Sequence, residues 1–276
     1  YVYKRTGTTW SQEAYIKASN SGNGDRFGSK VALSGNTLAV GTFLEDSNLT
    51  TITNDTTASS SNDDGMHQSS GAVYIYKRTG NTWTQEAYIK AANNNAEDWF
   101  SKSIALDNDT LAVGAMYESS NQTTITNGTG ASSDNSNNKS GAVYIYKRTG
   151  SSWVQEAYIK AANNDNKDEF GSSLSLGKDV LAVGAINESS NQTTITNGTG
   201  ASSDNSNNKS GAVYVYRRTG TTWAQTAYIK SADNSYQDLY GGIVSFSGSK
   251  LSVSAGVSWN GSGGGGAVYI YAITGD

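Results

Sequence analysis

Few side chains in this sequence could carry out covalent or metal chemistry. His67 is the only histidine, and the chain has no cysteine. A catalytic triad, a thiol nucleophile and a zinc site therefore lack their residues, and we expect His67 to lie in an exposed loop. The remaining catalytic candidates are carboxylate pairs of the glycosidase type, Glu118 with Asp134 and Glu188 with Asp204. These pairs lie in two identical segments. In a repeat protein, catalytic residues usually occur in one repeat and differ from the equivalent residues of the others, so we expect no catalytic residues.

Acidic side chains offer a second kind of chemistry, the binding of a hard cation. Calcium binds to several oxygen ligands, and the densest acidic set on one long loop consists of Glu45, Asp46, Asp63 and Asp64. An aspartate also recurs two residues before an aromatic residue in each unit, at Asp25, Asp98, Asp168 and Asp238. These aspartates could ligate a cation, but we favour a turn in which each carboxylate accepts backbone N–H groups. Calcium is the only cofactor that the sequence suggests.

The tryptophans divide into two groups. Four recur at spacings of 73, 70 and 70 residues, which predicts equivalent strand positions packed in the core; they are Trp10, Trp83, Trp153 and Trp223. Trp99 and Trp259 lie outside this pattern, among Asn, Asp and Ser residues. An exposed ring in such surroundings can stack on a sugar, and a structural role is the equal alternative for both.

A repeat of strands must position these residues. The segment GAVYIYKRTG occurs at 71–80 and 141–150, with a variant at 211–220, and its residues alternate between two faces as in a β-strand. Each repeat holds four strands joined by tight turns, such as the two-residue loop Asn108-Asp109. Four antiparallel units of this kind predict the blades of a β-propeller. A parallel solenoid is the alternative, and the hairpins disfavour it.

We expect one all-β domain over residues 1–276, built from four-stranded antiparallel blades. The repeat units cover 27–90, 100–160, 170–230 and 240–276, the last together with 1–17. The fourth unit lacks an outer strand, and the N-terminal segment around Trp10 could complete it and close the ring. We favour closure over an open array, although residues 1–5 then form one strand too many.

Long loops of Ser, Thr, Asn and Gly interrupt the first three units. Residues 118–144 and 188–214 are identical, and Ile125 within them suggests one anchored apolar contact. The fourth unit has only a short loop, and closing a longer loop adds little free energy. We therefore expect the long loops to be peripheral to stability.

Charge and composition exclude several partners. The net charge is −4 and the pI about 5.1, unlike the basic surfaces that bind nucleic acid or anionic membranes. No apolar run reaches the roughly 18 residues of a membrane span. Eleven Asn-x-Ser/Thr sequons suggest a glycoprotein outside the cell. The glycosylation candidates are Asn48, Asn54, Asn121, Asn127, Asn138, Asn191, Asn197, Asn208 and Asn260.

Short motifs in each unit resemble a known family. Phe-Gly pairs at 27–28 and 170–171, with variants at 100–101 and 240–241, precede a hydrophobic strand, and LAVG and GAVYIY strands follow. This order resembles the FG-GAP repeat of integrin alpha-subunit propellers, and more closely its bacterial and algal surface-protein relatives. The proline of Gly-Ala-Pro is missing, and two-residue hairpins replace the family's calcium-binding loop. The family's calcium sites are therefore not carried over.

The resemblance implies a strand order and a function. The strand after Phe-Gly is innermost, LAVG is second, GAVYIY is third and the tryptophan-containing strand is outermost. The face that binds ligands in the integrin relatives carries here Asp98, Trp99, Tyr117, Glu118, Glu188 and Trp259. The chain resembles a non-catalytic, extracellular or cell-surface adhesion module for a protein or glycan ligand. A self-associating structural subunit of a filament or surface layer is the first alternative, and a glycan-processing enzyme the second.

Overall fold

The computed structural model describes residues 1–56, 68–256 and 266–273. These residues form β-strands and no helix, grouped into a two-stranded hairpin, three five-stranded sheets (blades 1 to 3) and a three-stranded sheet (blade 4). The strands are, in the hairpin, β1 Val2–Thr6 and β2 Thr9–Ala14; in blade 1, β3 Lys30–Ser34, β4 Thr37–Thr42, β5 Ile52–Thr53, β6 Ala72–Thr79 and β7 Thr82–Ile89; in blade 2, β8 Phe100–Asp107, β9 Thr110–Ala115, β10 Ile125–Asn127, β11 Ala142–Thr149 and β12 Ser152–Ile159; in blade 3, β13 Phe170–Gly177, β14 Val180–Ala185, β15 Ile195–Asn197, β16 Ala212–Thr219 and β17 Thr222–Ile229; in blade 4, β18 Val244–Ser247, β19 Lys250–Ala255 and β20 Ala267–Ala272.

Each complete blade has the strand order that the motifs predict. In blade 2 the order is β8-β9-β11-β12, and every pairing is antiparallel. Val143 on β11 lies opposite Gly114 on β9 and Ile159 on β12. The hairpin residues adopt positive φ, as at Asn108 (φ 51°) and Gly35 (φ 55°), so the tight turns fix the register. The first strands of successive blades contact one another, which places them innermost.

The long polar loops add a fifth strand to blades 1 to 3. In blade 2, β10 pairs with the outer strand β12, and Ile125 lies opposite Ile159. The side-chain amide of Gln155 donates to the carbonyl oxygens of Gly128 (3.2 Å) and Gly130 (2.9 Å). The anchored contact predicted at Ile125 is therefore confirmed, but the loop is part of the sheet.

The core lies between successive blades. The interface of blades 1 and 2 buries Val73 and Ile75 together with Phe100, Tyr144 and Trp153. Phe100 meets the ring of Tyr144 edge-on, with 5.4 Å between centroids. An equivalent cluster fills the interface of blades 2 and 3. Because both faces of the middle sheets are covered, their strands are apolar on both faces.

Close packing beside the innermost strands requires glycine. A Cβ added at Gly114 would lie 2.2 Å from the carbonyl oxygen of Gly171 in the next blade, and one at Gly184 would lie 2.1 Å from that of Gly241. Ser254 occupies the corresponding position on β19. The outward face of blade 4 therefore differs from the faces that receive another blade.

The first and last strands do not close a ring. Within the described residues, β2 pairs only with β1, and β20 pairs only with β19. The expectation that the N-terminal strand completes the last blade is wrong, because β1 keeps β2 as its partner across the short turn at Gly7. The hairpin instead covers part of blade 1, where Val2 and Ile16 pack against the cluster that contains Tyr74 and Tyr76.

The hairpin leaves part of blade 1 uncovered. A cavity of about 710 Å³ lies between the two, and Leu33 on β3 is exposed. At the other end of the array, Val268 and Ile270 on β20 are 69% and 68% exposed. Trp10 is 65% exposed, whereas Trp153 is fully buried. The predicted core position is therefore wrong for Trp10, because no blade lies in front of β2.

Candidate ligand-binding site

The turn before each innermost strand places one side chain outside the core. In blade 2, Asp98 is buried, and an oxygen of its carboxyl group accepts a hydrogen bond from the backbone N–H of Asn95 (3.0 Å). Phe100 is fully buried between blades. Trp99, between them, has a left-handed backbone (φ 54°) and a half-buried side chain. Asp98 thus has the turn-forming role and is not itself a surface contact, while Trp99 reaches the surface.

Trp99 belongs to a cluster of three aromatic rings. The centroids of Trp99 and Tyr117 are 4.2 Å apart, with an angle of 31° between the rings. Phe43 of blade 1 meets Trp99 at 5.3 Å and 61°. Phe43 is buried, but Trp99 and Tyr117 are only half-buried. The sequence-predicted pair Trp99 and Tyr117 is therefore in contact, and each residue remains partly exposed at the surface.

Three cationic side chains surround these rings. The Lys102 ammonium lies 4.3 Å from the centroid of Phe43 and 4.8 Å from that of Trp99. Lys139 lies 4.1 Å from Tyr117, and the guanidinium carbon of Arg26 lies 5.7 Å from Phe43. All of these distances fit cation–π contacts. The aromatic–cation cluster comprises Arg26, Phe43, Trp99, Lys102, Tyr117 and Lys139.

Burial and neighbouring charges shift pKa values in the cluster. The pKa of Lys102 is lowered because burial disfavours its ammonium and because Lys30 and Arg26 repel it. Burial also raises the pKa of Tyr117 and that of Glu169, a half-buried residue of the next turn. Arg26, Lys30 and Lys102 thus lie together on the side of blade 1, and Glu169 lies near Lys139 and Lys209 on the side of blade 3.

Within the part of the chain that the structure describes, the cluster occurs once, although the blades are near copies. By position in the repeat, Trp99 corresponds to Arg26, Glu169 and Leu239. Tyr117 corresponds to Asn187, and Lys102 to Ser172 and Gly242. A site that serves one ligand needs this asymmetry, whereas identical residues in every blade serve the fold.

The repeats also identify the family. A comparison with protein-family profiles matches the FG-GAP repeat at residues 10–76, 83–146 and 153–216, more than half of the chain. The chain belongs to the FG-GAP repeat family. FG-GAP repeats occur in integrin-like adhesion and ligand-binding modules and are typical of extracellular proteins. No curated protein matches the sequence. The described part of this FG-GAP chain holds no helix with the length and hydropathy needed to cross a membrane.

The glutamates predicted on the ligand face of the FG-GAP blades are buried. Glu118 accepts hydrogen bonds from the ammonium of Lys160 (2.7 Å) and the hydroxyl of Tyr158 (2.9 Å). Glu188 has the same two contacts with Lys230 and Tyr228 in blade 3. Neither glutamate is exposed. The expectation that Glu118 and Glu188 lie on the ligand face is therefore wrong. Both lie in the interior of their blades, and each forms an ion pair with a buried lysine.

The predicted calcium loop is only partly described. Glu45 accepts a hydrogen bond from the ammonium of Lys90 (2.8 Å), and Asp46 accepts one from the backbone N–H of Ser69 (2.6 Å). The ammonium of Lys90 thus lies beside Glu45, where the sequence predicted a calcium ion. Among the described residues, no three His, Asp or Glu side chains converge to hold a metal. Outside the described residues lie Asp63, Asp64, His67, Trp259 and Asn260.

The carboxylates of the glycosidase-type pairs have separate structural partners. Asp134 accepts hydrogen bonds from the backbone N–H groups of Asn121 (2.9 Å) and Ser136 (3.1 Å), which lower its pKa. Glu118 is held by Lys160. Asp204 and Glu188 repeat these contacts in blade 3.

Two sequon asparagines join neighbouring blades. The side-chain amide of Asn54 donates a hydrogen bond to the backbone carbonyl oxygen of Trp153 (3.1 Å), and the Asn54 amide oxygen accepts one from the backbone N–H of Trp153 (2.7 Å). Asn127 binds Trp223 in the same way. A glycan on either amide would disturb this pairing. The other described candidates are exposed or half-buried: Asn48, Asn121, Asn138, Asn191, Asn197 and Asn208.

Four residues of the cluster were not predicted as site residues from the sequence: Arg26, Phe43, Lys102 and Lys139. Aligning the repeats brings Phe43 and Tyr117 close to the same position after LAVG and places Lys102 three residues after Trp99. That alignment could have marked them as exceptions among the repeats. The contact of Phe43 with Trp99 joins two blades, so only the structure shows it.

Proposed function

We propose that this protein is a non-catalytic, extracellular adhesion or ligand-binding module that recognises a glycan at the aromatic–cation cluster. The observation that carries the proposal is that Trp99, Tyr117 and Lys102 form one asymmetric surface site on a repetitive scaffold. The family supports a ligand-binding role.

The chemistry of the cluster suits a saccharide. Half-buried Trp99 and Tyr117 offer ring surface to the apolar face of a sugar, since aromatic side chains combine large contact area with a polar tip. Asn187 and Glu169 beside them can hydrogen-bond hydroxyl groups. Glu118 and Glu188, each one member of a glycosidase-type pair considered above, are bound by lysines in the interior.

Trp99→Ala and Tyr117→Ala test this site on an array of glycans and matrix proteins. Each substitution should weaken binding about tenfold or more, as expected for central aromatic contacts. Tyr236→Ala is the matched control, because Tyr236 is a 63% exposed aromatic on the equivalent loop of blade 4. Glycan binding that survives both cluster substitutions would place the ligand elsewhere and reject the proposal.

A structural subunit is the second candidate, and the apolar ends of the array favour it. Leu33 at one end and Val268 and Ile270 at the other are exposed, and apolar patches often mark association surfaces. Ser254 argues against simple continuation of the blades, because glycine is required at that position in blades 2 and 3. Light scattering across a range of protein concentrations decides: a fixed monomer mass rejects the subunit, and growth with concentration supports it.

A further inference from the structure

We infer that the saccharide recognised at the aromatic–cation cluster is acidic, with a carboxylate or sulfate group that contacts Lys102 and Arg26. This inference rests on the proposed function and adds the chemical class of the ligand.

The first support is a set of cations without carboxylate partners. Arg26, Lys30 and Lys102 lie close enough for the first two to repel the third. Among the described residues, no carboxylate lies within ion-pair distance of any of them; the ion pairs there involve other cations. The chain as a whole has a net charge of −4. Unpaired cations concentrated at one point of an acidic protein attract an anion.

The second support is the position of Lys102 above two rings. Its ammonium lies over Phe43 and Trp99, and the side chain is half-buried. The charge is therefore held beside the ring that would stack on a sugar. A pyranose against Trp99 would bring a pendant anionic group within reach of this ammonium.

The surroundings favour a saccharide over an acidic peptide. Peptides commonly add a strand to a sheet edge or fill a groove. Here the backbone N–H groups of Trp99 and Tyr117 are already bonded, to the carbonyl oxygens of Ser69 (3.2 Å) and Asp98 (3.2 Å). The cluster thus offers rings and charges, and neither of these two N–H groups is available to pair with an added strand.

The distribution of charge around the cluster sets the orientation of the ligand. Glu169 lies on the blade 3 side of the cluster, near Lys139, Lys209 and Asn187. Charges of both signs meet at that end, whereas Arg26, Lys30 and Lys102 lie together at the blade 1 end. The acidic group therefore points towards blade 1, and the neutral hydroxyl groups point towards Asn187.

Binding of three probes by the whole chain tests the inference: an oligouronate, a sulfated oligosaccharide and a neutral oligosaccharide of equal length. At least one acidic probe should bind about tenfold more tightly than the neutral one, and its affinity should fall as salt screens the charges. Lys102→Gln should weaken acidic binding more than neutral binding and so remove most of that difference. Lys4→Gln, which removes an equal charge from exposed β1, should leave the difference unchanged.

Several results would overturn the inference. Equal affinities for acidic and neutral probes, with Trp99→Ala still abolishing both, would reject the acidic ligand and leave the proposed function intact. Tighter binding of an oligoglutamate, added as a fourth probe, than of either acidic saccharide would replace the glycan with a peptide. If no saccharide binding depends on Trp99, the proposed function itself fails.

Discussion

Trp153 is a fully buried residue on which the contact between blades 1 and 2 depends. Its indole N–H donates to Glu86 (3.0 Å), and its backbone is held by Asn54. Trp153→Ala should lower the free energy of unfolding by about 3 to 5 kcal/mol, because it removes a large buried aromatic side chain. Trp10→Ala is the control, since Trp10 is exposed. Chemical denaturation that gives equal losses for both would contradict the assigned interface.

Asp98 makes stability depend on pH. Its pKa is raised to about 8, first by burial and then by the charge of Glu118. An aspartate in the unfolded chain titrates near pH 3.9, so the folded protein binds this proton more tightly. The resulting stability is complete below about pH 4 and is lost as the pH rises to about 8.

Asp98→Asn tests this dependence, because asparagine keeps an oxygen to accept the Asn95 N–H but does not titrate. Thermal unfolding at about pH 5 and about pH 8 should show a smaller difference for the variant than for the parent. Asp168, whose pKa is also raised to about 8 by burial, should flatten the profile further when it is replaced as well. An unchanged difference in the double variant would show that other groups carry the pH dependence.

At the scale of the element, each long loop contributes a short strand to its sheet. Replacing residues 121–138 by a short Gly/Ser connection removes β10, the acceptors of Gln155 and the contact of Asn127 with Trp223. The loss of these hydrogen bonds should lower the denaturation midpoint. The sequence-based expectation of a peripheral loop is therefore replaced by one of moderate destabilisation.

The same deletion in blade 3 is a control of identical sequence. Residues 191–208 also contain a short strand, but in the described residues blade 4 has no outer strand for Asn197 to hold. Trimming this loop should therefore destabilise the protein less than trimming residues 121–138. Equal midpoints for the two variants would mean that the Asn127 contact contributes nothing.

At the scale of the whole molecule, the blades form an open array. Deleting residues 1–5 removes β1 and exposes the cluster around Tyr74 and Tyr76 that Val2 partly covers. The deletion should lower the unfolding midpoint and increase the binding of a hydrophobic dye. Lys4→Gln, at an exposed position of β1, should change neither. If the chain that lacks residues 1–5 has the same unfolding midpoint as the full-length chain, the closed arrangement forms instead.

Much of this architecture follows from the sequence because its determinants are local. Alternating residues in GAVYIY, the two-residue loop at Asn108 and the 70-residue period together predict the strands, their antiparallel pairing and their order within a blade. The aspartate turns are also local, since Asp98 binds a backbone group three residues away. Such features need no knowledge of distant contacts.

The arrangement of the site and of the ends was decided only by tertiary structure. Glu118 lies in a polar segment of the sequence, but in the structure it is buried and pairs with Lys160, which is distant along the chain. Phe43 contacts Trp99 only because blades 1 and 2 pack together. Sequence similarity also leaves open whether β2 pairs with β1 or with β20, since both have the sequence of a third strand. β1 has the advantage there, because a tight turn joins it to β2, whereas bringing β20 to the same edge closes a loop through the whole chain at a greater cost in entropy.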